Sequence, residues 1–67
     1  MPDLENRFTY HAPKPGQPQT YQGLRSAALG LAKLIEASCP DSPERNLALV
    51  RLDETVFWAN ASIARHG

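Results

Sequence analysis

Apolar residues recur at alternating steps of three and four over two stretches of the chain, the spacing of a helical face. In the first stretch Tyr21, Leu24, Ala28, Leu31 and Ile35 form one stripe, which the small Ser38 continues. In the second, Leu49, Leu52, Val56, Ala59 and Ile63 repeat the pattern in heptad spacing. Between them Cys39-Pro40-Asp41-Ser42-Pro43 interrupts both series. Ser42 before Pro43 reads as an N-cap followed by proline in the first turn, with Asp41 and Glu44 as a competing cap. The pattern predicts helices over 19–39 and 43–65, each on the order of 30 Å long at 1.5 Å per residue. Two matched helices joined by a short turn make an antiparallel hairpin, an all-α fold. Ahead of it lie four of the six prolines, and Pro13-Lys14-Pro15-Gly16-Gln17-Pro18 reads as an extended or turned linker. Residues 1–18 are therefore expected to be arm and linker, with Leu4 to Tyr10 as a short helix or arm. The whole chain, 1–67, is expected to be a single helical-hairpin domain.

The second helix carries more apolar surface than its seam uses. Leu47, Val50, Phe57, Trp58 and Ala61 all lie off the principal stripe. A chain of 67 residues buries only a modest fraction of its surface alone. Leaving such groups in water forgoes several kcal/mol at roughly 25 cal/mol per Å² of apolar area. Self-association is the simplest cover, two-fold dimers being the commonest oligomers. The alternative within one chain is that the N-terminal arm folds back over this face.

Charge narrows the possible partners: seven basic residues balance seven acidic ones. That argues against the basic face needed for non-specific DNA binding and leaves room for a small anionic ligand. Cys39 is the only cysteine, so no intrachain disulfide is possible, and no Cys/His spacing resembles a metal site. No cofactor is expected. Asp3 and Glu5 stand where a signal peptide would be apolar, and no later run is apolar enough for a bilayer. These features predict a soluble protein of a reducing cytoplasm, with no membrane partner.

Two groups of residues are candidates for ligand contact. Arg7-Phe8-Thr9-Tyr10-His11, with Lys14 nearby, mixes stacking surfaces with cationic groups ahead of a helix that carries Arg25. Base and phosphate recognition needs that mixture, since aromatic or guanidinium planes stack on bases and arginine pairs with phosphate oxygens. The plainer reading makes Phe8 a core anchor and lets Tyr10 pack with its hydroxyl satisfied by backbone. In the first helix Gly23, Ala27 and Gly30 form a low-relief stripe with Leu34 beyond, which a neighbouring helix or a flat ligand could approach. Catalysis has little support: His11 and His66 are the only histidines, and no nucleophile with its base or paired carboxylates stand out.

The segment Leu4 to Lys14, together with Leu47-Ala48-Leu49 and the ending Trp58-Ala59-Asn60-Ala61-Ser62-Ile63-Ala64-Arg65, resembles the phage anti-CBASS cyclic-nucleotide sponge family. CBASS is a bacterial immune system in which a cyclase makes cyclic oligonucleotides that activate a killing effector. The resemblance implies a protein that binds the messenger without cleaving it, in the cytoplasm of the infected host, as a homohexamer built as a trimer of dimers. It implies that Tyr10 is the base-stacking tyrosine, and that Arg25 stands where a lysine contacts the cyclic dinucleotide. It also implies a separate site for cyclic trinucleotides at Gly23, Ala27 and Arg65, with Ala27 where a hydroxyl residue is expected. The rival expectation is a structural or protein-binding hairpin with no nucleotide ligand; a phosphodiesterase is a third.

Overall fold

The computed structural model describes residues 3–67; Met1 and Pro2, the start of the expected arm, lie outside the described residues. Three helices follow in order: α1 (Leu4–Arg7), α2 (Gln17–Ser38) and α3 (Pro43–His66). Helices α2 and α3 pack along their length as the expected antiparallel hairpin, and no strand occurs among the described residues.

Each helix boundary has a local chemical cause. Ser42 wins the competition for the α3 cap: its hydroxyl accepts from the Arg45 N–H at 3.1 Å, and Pro43 occupies the first turn, where a missing N–H costs nothing. Asp41 instead pairs with the Arg45 guanidinium at 3.2 Å. The same guanidinium donates to the carbonyls of Glu36 at 3.2 Å and Cys39 at 3.4 Å. One arginine thus satisfies carbonyls left open at the end of α2 and ties them to the start of α3.

Helix α2 begins two residues earlier than the proline pattern predicts. Lys14-Pro15-Gly16-Gln17 closes a turn through Gln17 N–H donating to the Lys14 carbonyl at 3.0 Å. Gly16 sits at φ 84° and ψ −19°, the left-handed position of a type II turn, and also serves as the α2 N-cap. Pro18 then falls in the first turn of α2, where its fixed φ suits the helix, so it belongs to the helix and not to the linker. At the other end Cys39 is extended and only caps the helix.

The α3 seam of Leu49, Leu52, Val56, Ala59 and Ile63 is half-buried throughout, as are Tyr21, Leu24, Ala28 and Ile35 of α2. Leu31 lies at the edge of the contact and Ala32 takes a place in it. At 100° per residue Ala32 falls about 20° from Tyr21 round the helix, whereas Leu31 lies about 80° away, beyond Leu24.

No described residue is fully buried. The Cα radius of gyration, 14.8 Å, exceeds the ~11 Å of a compact domain of this length. The accessible surface, 5342 Å², likewise exceeds by about 1,100 Å² the area usual for a folded monomer of 7.4 kDa. Leu47, Val50, Phe57 and Trp58, each half exposed or more, form with Ala61 a second apolar stripe on α3, with Phe57 on the edge nearer the seam.

Candidate functional site

The N-terminal segment is fastened to the C-terminal end of α3, where the last carbonyls run short of helical partners, although the Ile63 carbonyl also accepts the Gly67 N–H at 2.9 Å. Gln17 Nε2 donates to the Ile63 carbonyl at 3.4 Å, Asn6 Nδ2 to the Arg65 carbonyl at 3.1 Å, and Lys14 Nζ to the Gly67 carbonyl at 2.6 Å. The Lys14 ammonium also places positive charge at the negative end of the helix dipole. Helix α1 is one turn, capped by the Asp3 side chain accepting from the Asn6 N–H at 3.2 Å, and it stops at Phe8.

From there residues 8–10 run out into solvent. Tyr10 is 83% exposed and Phe8 79% exposed. Phe8 is therefore not a core anchor, and the arm meets the tip of α3 through the polar contacts of Asn6 and Lys14. The Arg7 guanidinium stands 5.5 Å from the centroid of the Phe8 ring, within cation–π range. The arm does fold back, but it leaves Phe57 66% and Trp58 67% exposed, so it is not the cover for that face.

His11 closes the excursion. Its Nε2 donates to the Asn6 carbonyl at 2.7 Å, which requires the tautomer protonated at that nitrogen. Of the residues expected at a dinucleotide site, Arg7 and Tyr10 are thus exposed at the surface, while His11 Nε2 is engaged within the arm and Lys14 Nζ at the end of α3.

Arg25 is exposed on α2 and lines a groove of about 370 Å³ with Leu29, Leu49, Leu52, Asp53 and Phe57. Tyr10 does not line this groove. A single chain does not bring Tyr10 and Arg25 into one cavity.

The residues expected at a trinucleotide site are also spread out. Ala27 lines a shallower apolar groove of about 200 Å³ with Leu24, Leu31, Thr55 and Ala59. Gly23 is far round the helix from Arg25, at 100° per residue, so the two candidate sites face different sides of α2. Arg65 lines a third, more polar depression with Trp58, Ser62 and His66. From the level of Thr55, beside Ala27, to Arg65 is about 15 Å along α3 at 1.5 Å per residue. A Cβ at Gly23 or Gly30 would meet nothing within 4 Å in one chain. No contact within the chain therefore offsets the roughly 1 kcal/mol that each glycine costs a helix interior. The engagement of Asn6 was missed by sequence reading, because nothing local distinguishes an asparagine that bonds 59 positions away.

No helix among the described residues is long and apolar enough to cross a membrane. No group of three or more His, Cys, Asp or Glu gathers among them as a metal site would require. In comparisons with known proteins, the family model described as "Acb2/Tad1, hairpin domain" matches residues 1–64. No curated protein and no solved structure matches the chain.

Proposed function

The chain belongs to the Acb2/Tad1 hairpin family, the anti-CBASS sponges for cyclic oligonucleotides, and from that premise we propose that it sequesters cyclic dinucleotides such as cyclic GMP-AMP without cleaving them. A phage protein acting so in the cytoplasm of its host holds free messenger below the threshold of the CBASS effector. The observation that carries this reading is the family match over residues 1–64. Tyr10 stacks on a base and Arg25 pairs with a phosphate or stacks, as its planar guanidinium permits. Arg7 and Lys14 add positive charge near Tyr10, and His11 completes the arm's part of the site. Gly23, Ala27 and Arg65 form the second site, for cyclic trinucleotides.

Both sites need more than one chain. The separation of Tyr10 from Arg25, and of Ala27 from Arg65, supports sites assembled between copies, as does the excess surface of about 1,100 Å² per chain. A standard interface takes about 800 Å² from each partner, so that excess is enough for one such interface with area to spare. A cyclic dinucleotide has approximate two-fold symmetry, and a two-fold dimer offers one Tyr10 and one Arg25 to each half of it. A trimer of such dimers, a homohexamer, completes the proposed assembly.

The purely structural hairpin is the second reading, favoured by the bare Phe57 and Trp58. Calorimetric titration with a panel of cyclic di- and trinucleotides, alongside light scattering of the free protein, separates the two. The sponge reading expects saturable heats and a multimer; a multimer that binds no member of the panel leaves the structural hairpin.

A further inference from the structure

We infer that Asn6 and His11 are positioning residues that hold the Tyr10 ring ready for its ligand, and this rests on the reading of Tyr10 as the stacking residue. The chain leaves α1 at Phe8 and returns at His11, and the excursion between is closed by His11 Nε2 donating to the Asn6 carbonyl at 2.7 Å. Asn6 is in turn fixed to the scaffold, since its Nδ2 donates to the Arg65 carbonyl at 3.1 Å. Both side chains are half-buried, whereas Phe8, Thr9 and Tyr10 between them are exposed. One asparagine therefore joins the neck of the loop to the end of α3, with its side chain donating outward and its backbone accepting inward.

Phe8 keeps its N–H on the Leu4 carbonyl at 3.0 Å and its ring 5.5 Å from the Arg7 guanidinium, whereas Thr9 and Tyr10 beyond it are exposed, and Tyr10 lines none of the three grooves described above. A stacking ring on a free strand must be ordered at each binding event, which subtracts from affinity, whereas a closed neck makes that loss beforehand. His11 thus acts on the ligand through the backbone that carries Tyr10. Its neutral tautomer suffices, because the contact to a carbonyl needs only a donor at Nε2.

Four variants test the assignment by calorimetry with cyclic GMP-AMP and by hydrogen exchange of the amides of Thr9 and Tyr10. Asn6→Leu keeps the neutral charge and approximate size but removes the donor to Arg65. His11→Phe keeps a ring without a donor, whereas His11→Gln supplies an amide N–H at similar reach. Asn6→Leu and His11→Phe are expected to speed exchange and weaken binding by about tenfold, with helical content and assembly size unchanged. His11→Gln is expected to restore both. The inference is overturned if Asn6→Leu leaves exchange and affinity as they were, or if His11→Gln loses as much as His11→Phe. Tyr10→Ala is the reference: if it abolishes binding while the neck variants do nothing, only the positioning role fails. If the unaltered protein binds no cyclic dinucleotide, the sponge reading fails and this inference with it.

Discussion

Tyr10 and Arg25 illustrate what a single side chain can and cannot do in this protein. Base stacking is worth roughly 1 to 3 kcal/mol per base, so Tyr10→Ala is expected to weaken cyclic dinucleotide binding by about ten- to a hundredfold. Arg25→Ala removes a charge-assisted contact worth roughly 1.5 to 3 kcal/mol and is expected to do comparable damage. Neither side chain is packed in the hairpin, so both variants should keep the thermal stability of the parent, and calorimetry beside a melting curve checks both statements. Unchanged affinity in both would move the site elsewhere. The arm's mixture of aromatic and cationic residues was legible in the sequence because composition alone carries it. The division of labour within it was not: His11 and Lys14 look as available as Arg7 until the ends of α3 and the arm are seen to meet. Phe8 was misread for a related reason. An aromatic residue implies burial only where the fold has an interior for it, and this chain has none at the arm.

Helices α2 and α3 were readable because each link in their description is local. The step of three and four fixes the seam, Ser42-Pro43 fixes one start, and Pro40 ends what precedes it. Boundaries slipped where two local signals conflict, as at Pro18, which reads as a linker residue until Gly16 turns the chain and leaves it in the first turn. The second stripe of α3 was visible in sequence as surplus, though its cover was not, since a helix apolar on two faces does not say which partner takes which face. These cap assignments predict measurable losses. Ser42→Ala removes the acceptor for the Arg45 N–H and should cost about 1 kcal/mol. Gly16→Ala forces a Cβ into a left-handed conformation and should cost about 1 to 2 kcal/mol, although no atom lies within 4 Å of the new methyl. Each is expected to lower Tm by several degrees at one fixed protein concentration, a control that matters if folding and assembly are linked. A Gly16→Ala protein as stable as the parent would contradict the turn geometry.

The whole molecule is thin, with extents of 42 × 27 × 15 Å and no described residue fully buried. Its grooves lie open along the hairpin, and in the proposed assembly a second copy would supply their missing walls. That shape suits a binder whose capacity is set by the number of assembled sites, and the consequence is stoichiometric. Inhibition of a downstream effector should rise with protein dose until sites outnumber messenger molecules, and added messenger should overcome it. An enzyme would clear the excess given time. Incubation with a tenfold excess of cyclic dinucleotide, followed by heat denaturation, removal of the protein and chromatography of the nucleotides, is expected to return the cyclic compound in full. Linear dinucleotide or mononucleotide that accumulates with incubation time would defeat sequestration as the mechanism, however tight the binding, because turnover leaves no fixed ratio of ligand to site. Full recovery together with a saturating dose response would leave affinity and site number as the only quantities that govern protection.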